Sequence, residues 1–342
     1  MSAQRRRLSV GKMRGLRQIS SPDGLVLLAA MDHRGNLRRA LAPEAPDSVG
    51  DEEMAAIKVD LARALASAEA GGTGVTGVLV DVEYGYRPLV YTGVLPGHVG
   101  ALVSIEKTGY VRRPDGRVTE LLPGLDPGKL RRMGASGVKL LVYYHPRATT
   151  APQQRELVQR VAEACRQHDV LFVVEALSYP LDPGQEKTSP AFLAEKPDLV
   201  AQTAADLTGD GVDLFKAEFP GAVPEDGRIG DAERQRLLEA CGALDAASRA
   251  PWVLLSEGVS FEAFCTEVEI AGQAGASGFM VGRAVWKDCV VRDGELRRRL
   301  LAERATPRMR HLSEMARRHC RPWTERIDTT PPAVEPEWYV GY

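Results

Sequence analysis

Eight short apolar runs, separated by longer amphipathic segments, recur along this chain and limit the folds open to it. The runs are Leu25–Met31, Gly77–Val82, Ala101–Ile105, Val138–Tyr144, Val170–Leu177, Val212–Phe219, Trp252–Ser256 and Gly278–Trp286. Most are rich in Val, Leu, Ile and aromatic residues, and their apolar stretches are continuous rather than alternating. Such strands are apolar on both faces, as in a parallel sheet covered by helices. The segments between them carry helical patterning, at Glu52–Ala70, Gln153–Gln167, Pro197–Leu207, Asp231–Leu244 and Phe261–Ala274. Asp51, Thr150 and Ser260 stand at three of their starts as capping residues.

Eight strands alternating with helices predict an α/β fold of the (β/α)8 TIM barrel type, with extensions at both ends. The barrel is expected over residues 25–292, close to the ~250 residues typical of this fold. A doubly wound sheet fits less well, because no GxGxxG follows the first run. Residues 1–24 read as an N-terminal extension with a short helix across the barrel bottom. Residues 293–342 read as a charged helical segment and an extended tail, ending PPAVEPEWYVGY. The aromatic residues of that tail make it a candidate contact for a homo-oligomer.

Composition narrows the function. A formal net charge of -2 argues against a nucleic-acid partner. The basic N-terminus has no following apolar stretch of a signal peptide, and no run reaches the ~18 apolar residues of a membrane helix. A cytoplasmic protein without a membrane partner is expected. The five cysteines, Cys165, Cys241, Cys265, Cys289 and Cys320, are scattered, and the histidines form no HExxH or HxH pair. Neither a metal nor another cofactor is expected.

Of the 44 basic residues only nine are Lys. A chain that places Arg where charge suffices needs a reason for a Lys inside an apolar run. Lys107, Lys139 and Lys216 are such residues. In this fold the active site lies at the C-terminal strand ends. Those ends carry Asp32-His33-Arg34, Asp81 and Glu83, Glu106-Lys107, Tyr143 to His145, Ser256-Glu257-Gly258 and Gly282-Arg283. Lys139, Glu175 and Lys216 lie within runs.

Lys216 is flanked by Leu214, Phe215, Ala217 and Phe219. Burial of a lysine favours its neutral amine, which attacks carbonyls to form a Schiff base. Arg cannot do this. The structural alternative is an ion pair with Glu218 or Glu175. Glu175, within VVEAL, suits a proton shuttle at an iminium, or the same buried pair. Lys139 is placed to hold a substrate oxygen or phosphate, or to balance the carboxylates. Gly275, Gly278, Gly282 and Arg283, with Ser256 and Gly258 opposite, form a candidate phosphate cradle.

The segments AMDHRGNLRRAL (30–41), EYGYRP (83–88), EKTGY (106–110), VKLLVYY (138–144), VVEALSY (173–179), LFKAEFP (214–220), PWVLLSEGVS (251–260) and GASGFMVGRAVW (275–286) resemble the tagatose 1,6-bisphosphate aldolase family. This is a branch of the class I aldolases that also includes sulfofructose-phosphate aldolases. The resemblance runs in order across nearly the whole barrel. It implies Lys216 as the Schiff-base lysine and Glu175 as the acid/base. It implies Asp32 at the substrate hydroxyls, Lys139 near the substrate, Ser256 and Arg283 on phosphate, and a backbone phosphate contact at Met280.

The implied reaction cleaves a ketose phosphate, such as tagatose 1,6-bisphosphate, into dihydroxyacetone phosphate and glyceraldehyde 3-phosphate. Two departures bear on the substrate. His33 replaces the Gln of the family's M-D-Q-R-G motif, and Glu257 stands where a small residue usually follows the serine. They motivate two alternatives: a modified ketose such as sulfofructose 1-phosphate, or, more distantly, a barrel that binds sugar phosphate without turnover.

Overall fold

A computed structural model describes residues 5–67, 72–114 and 116–342. Eight parallel strands close into a barrel. They are β1 (Val26–Ala30), β2 (Gly77–Asp81), β3 (Gly100–Ser104), β6 (Gly137–Tyr143), β7 (Leu171–Leu177), β8 (Leu214–Ala217), β9 (Trp252–Leu255) and β10 (Gly278–Val281). A hairpin of β4 (Val111–Arg113) and β5 (Gly116–Val118) is inserted after β3. Barrel order follows chain order, and β1 closes the ring against β10 on one side and β2 on the other.

Side chains alternate between the barrel interior and the helical layer, because successive residues of a strand point to opposite faces. Val26, Leu28, Leu79, Leu102, Leu171, Val173, Leu214, Val253 and Met280 pack into one interior cluster. Leu27, Ala29, Val78, Val103, Phe172 and Phe215 belong to the second cluster, beneath the helices. Two positions beyond interior Val173 and Leu214 the same inward phase reaches Glu175 and Lys216, and Lys139 of β6, two positions beyond Gly137, joins them.

The bottom of the barrel is closed from both termini. Helix α1 (Val10–Gln18) contributes Leu16, followed by Ile19, and the C-terminal segment contributes Trp323 and Ile327 to the interior cluster. Arg6 and Ile327 pair as a parallel bridge. The start of the tail is therefore built into the barrel floor, whereas Val334, Trp338, Tyr339, Val340 and Tyr342 are exposed.

The outer layer comprises α2 (Gly35–Leu41), α3 (Asp51–Leu65), α4 (Tyr86–Tyr91), α5 (Pro127–Arg132), α6 (Ala151–Gln167), α7 (Pro190–Leu207), α8 (Asp231–Ala247), α9 (Phe261–Ala274) and the short α10 (Arg283–Trp286). Helices α11 (Gly294–Leu300) and α12 (Thr306–His319) follow, joined by a π-turn. Buried Arg297 pairs with Asp60 of α3 at 2.7 Å and ties this segment to the barrel. Among the described residues no helix is long and apolar enough to cross a membrane.

Several boundaries differ from the sequence expectation. The α7 helix starts at Pro190, seven residues before Pro197, because Ser189 caps it by accepting the Phe192 N–H and Pro190 suits the first turn. Pro197 lies inside that helix. Gly50, not Asp51, holds the cap position of α3, and Asp51 is the first helical residue. The end of the expected Glu52–Ala70 helix, residues 68–70, lies outside the described residues, as do residues 1–4 of the N-terminal segment. Thr150 precedes α6 without a capping side-chain bond, whereas Ser260 accepts the Ala263 N–H at 3.0 Å. The last apolar run divides at Gly282 into β10 and the turn of α10.

Candidate active site

Adjacent strands β6, β7 and β8 carry one inward charge each. Register places Leu141 beside Glu175 and Glu175 beside Lys216. Lys216 Nζ lies 2.9 Å from Glu175 Oε1, and Lys139 Nζ lies 2.7 Å from Glu175 Oε2. Each carboxylate oxygen thus faces its own ammonium. Lys139 also donates to Asp32 Oδ2 at 2.8 Å, from the loop after β1, and to Glu106 Oε1 at 2.9 Å, from the end of β3. Three carboxylates converge on one ammonium. All five groups are nearly buried, with side chains 2% to 12% exposed.

Burial alone would raise both Asp32 and Glu175. For Asp32 the Lys139 ammonium, then Lys216, outweighs it and holds the carboxyl well below its ordinary 3.8. For Glu175 the same two lysines lower it below 4.5. Burial would strip the Lys139 proton, but Asp32, Glu106 and Glu175 overcompensate, and its value rises well above 10.5. Lys139 is therefore a permanent cation. Lys216 has one ion-pair partner, Glu175, and faces open space.

That space is a cavity of about 150 Å³ at the C-terminal mouth, reached by Asp32, Lys139, Glu175, Lys216 and Arg283. On its far side Ser256 Oγ accepts the Gly282 N–H at 3.4 Å. Arg283 Nη2 donates to the Glu257 carbonyl at 3.2 Å, while its buried Nε has no partner. An anion between Ser256 and Arg283 would meet a hydroxyl and a guanidinium with an unused N–H. Met280 is buried at 1% exposure, and its side chain belongs to the apolar interior below this wall.

His33 sits at the rim, edge-on to Trp286 at 5.1 Å between centroids. Its Nδ1 is 4.0 Å from Asp32 Oδ1. Burial, aided by the nearby cations Arg283, Lys58 and Lys216, pushes the imidazole down to about 3 against the pull of Asp32. The ring is neutral near pH 7. Gly282 gives it room, since a Cβ there would come within 2.8 Å of His33 Cε1.

Glu257 does not face this cavity with its carboxylate. Its backbone adopts φ 45°, and its carboxylate is paired with Lys187 and, at 3.2 Å, with Lys196. Burial would raise it; Lys196 and Lys187 prevail and lower it to about 2. Two cations thus neutralise the carboxylate that the sequence sets beside the candidate anion site. Glu218 is not the partner of Lys216: it accepts from Ser178 and Lys187. Lys107 lines the same cavity. It pairs with exposed Glu120 at 2.9 Å, outside the buried network. By strand alternation its neighbour Glu106 takes the inward place. Glu106 was detectable by a signal close to that of Glu175, a carboxylate directly after an apolar run.

The sequence profile of the DeoC/LacD family aldolases matches residues 26–288. The tagatose 1,6-diphosphate aldolase of Staphylococcus epidermidis is 28% identical over 297 residues, covering 83% of this chain and 88% of that protein. Tagatose 1,6-diphosphate aldolase 1 of Streptococcus pyogenes is 29% identical over 322 residues, covering 90% and 96%. The crystal structure of an archaeal fructose 1,6-bisphosphate aldolase superposes with a TM-score of 0.56 at 19% identity, covering 88% of this chain and 97% of the other. That likeness concerns the barrel. With the profile spanning the whole ring of strands, the chain belongs to the DeoC/LacD aldolase family.

Proposed function

We propose that this protein is a Schiff-base aldolase for a ketose phosphate, with Lys216 as the nucleophile and Glu175 as the proton shuttle. The observation that carries the reading is the 2.9 Å approach of Lys216 Nζ to Glu175 Oε1 inside the mouth cavity. Lys216 must lose a proton before it can attack, and Glu175 is the adjacent acceptor.

The amine adds to the C2 ketone, and the carbinolamine loses water to give an iminium ion. A proton leaves the C4 hydroxyl, the C3–C4 bond breaks, and its electrons pass to the iminium nitrogen. An aldehyde departs and an enamine remains. Protonation at C3 and hydrolysis then free dihydroxyacetone phosphate and the amine of Lys216. Glu175 takes and returns the protons. Asp32 and the fixed cation Lys139 orient the substrate hydroxyls. Ser256, the backbone at Gly282 and Arg283 hold the C1 phosphate, with Met280 below them and His33 at the rim. No metal and no other cofactor enters these steps. Residues 25–292 form the catalytic unit in this reading, buttressed by 293–342.

The names of the relatives support tagatose 1,6-bisphosphate as the substrate, with glyceraldehyde 3-phosphate as the second product. The pairing of Glu257 with Lys187 and Lys196 removes its carboxylate as an argument for an unusual anion. His33 remains as the feature that favours a modified ketose, such as sulfofructose 1-phosphate. A cleavage panel of tagatose 1,6-bisphosphate, fructose 1,6-bisphosphate and the sulfo sugar tests the reading, with Lys216→Met as control. Highest kcat/KM on the tagatose ester supports it. Preference for the sulfo sugar would transfer the activity to the modified ketose, and binding without cleavage of any ketose would remove the aldolase reading.

A further inference from the structure

Helix α3 sends one lysine under the end of β1. Lys58 is 0% exposed. Its Nζ donates to the Met31 carbonyl at 2.6 Å, to the His33 carbonyl at 2.9 Å and to the Asp81 carboxylate. An ammonium has three N–H donors, and here each has an acceptor. Asp81 is satisfied in turn, since its other oxygen accepts the Tyr84 N–H at 2.7 Å. Gly85 leaves room for the lysine stem: a Cβ there would lie 3.0 Å from Lys58 Cδ and 2.2 Å from Val80 Cγ2.

The two carbonyls belong to the residues on either side of Asp32. Between them, Asp32 projects its carboxylate to Lys139 at 2.8 Å. The Met31 N–H is held as well, by the Leu79 carbonyl at 2.7 Å. The peptide unit that enters Asp32 and the one that leaves His33 are thus both bonded to one cation.

Stability is a poor reason for this arrangement. Both members of the Lys58–Asp81 pair are 0% exposed, and desolvating two ions often costs more than an apolar pair of the same volume would. Nor would Arg serve, because its planar fork does not converge three donors on one point. In a chain with only nine lysines, this one has a geometric reason to be Lys.

We propose that Lys58, anchored by Asp81, is a positioning residue for the aldol reaction, fixing the backbone on both sides of Asp32 and so the direction of its carboxylate. The inference rests on the reading of Asp32 as a substrate contact.

The test uses the double variant Lys58→Met/Asp81→Asn, which leaves neither charge buried alone. Asp81→Asn alone, which keeps the two carbonyl bonds, is the second variant should the double one not fold. Hydrogen–deuterium exchange of the folded, ligand-free protein is read first. The amides at 32–35 are expected to exchange at least about tenfold faster, with β3 unchanged. A smaller acceleration in the same segment is expected for Asp81→Asn.

Turnover is read second, in a cycle with Asp32→Asn. The double variant should lower kcat by about 100-fold in the wild-type background. In the Asp32→Asn background it should lower kcat by less than about threefold, because one function has already been removed. Unchanged exchange at 32–35, unchanged kcat, or equal losses in both backgrounds would each overturn the proposal. If the wild type cleaves no ketose phosphate, the aldolase reading fails, and the exchange measurement still decides whether Lys58 holds this segment.

Discussion

Glu175 and Lys216 are register partners on adjacent parallel strands, and their charged ends meet at 2.9 Å inside the barrel mouth. A strand pair fixes its side chains more firmly than a loop does, so the proposed nucleophile and proton acceptor are held together before substrate arrives. On the other side of Glu175, Lys139 keeps the carboxylate ionised. The same carboxylate is thereby ready to accept a proton and unable to keep it.

Glu175→Gln preserves shape and removes the shuttle. A loss of about 10²- to 10⁴-fold in kcat is expected. The variant should also be less stable than wild type at pH 7, because Glu175 is lowered below 4.5 in the folded protein. A lowered carboxyl contributes stability above its unfolded pKa and loses it as pH falls through the folded value. The stability gap should therefore narrow from pH 5 downward. Urea denaturation of both proteins over pH 3 to 7 checks this, and a constant gap would contradict the assignment.

Lys139→Met leaves Asp32, Glu106 and Glu175 around an apolar side chain. Breaking a buried ion cluster from one side costs about 3–5 kcal/mol. The variant is expected to unfold at markedly lower denaturant at pH 7 and to recover part of the loss toward pH 5, as one carboxyl takes up a proton. Equal loss at both pH values would argue against the three-carboxylate geometry.

Much of this site was legible in the sequence, because a charge inside a continuous apolar run has few structural explanations. Lys216, Glu175 and Lys139 carried that signal, and the strand period of two placed all three on the inner face. Lys107, the next residue after Glu106, lies beyond the end of β3, lines the mouth and pairs with exposed Glu120 instead of joining the buried network. Lys58 was illegible for a different reason. It stands on an amphipathic helix, where a lysine is ordinary, and two of its three acceptors are backbone carbonyls 25 and 27 positions away. Nor could the sequence show that Lys187 and Lys196, 70 and 61 positions before Glu257, draw its carboxylate away from the anion wall.

Glu267 of α9 predicts a separate pH effect. It lies 3% exposed beside the Glu257 cluster, and burial, with Glu257 adding to it, pushes its carboxyl up to about 8 against the pull of Lys196. A raised carboxyl contributes stability that is complete below its ordinary 4.5 and is lost as pH rises through the folded value. Glu267→Gln should leave stability at pH 5 nearly unchanged and raise it at pH 8.5. Thermal melts at the two pH values decide this; a variant less stable at pH 8.5 would show that the carboxylate is paired.

Schiff-base catalysis requires a covalent bond between the substrate and Lys216. Incubating the folded protein with tagatose 1,6-bisphosphate or dihydroxyacetone phosphate and reducing with borohydride should fix the ligand, and peptide mass mapping should find the adduct on Lys216, with none in Lys216→Met. Cleavage of the sugar with no trapped adduct, or an adduct confined to Lys139 or Lys58, would contradict it.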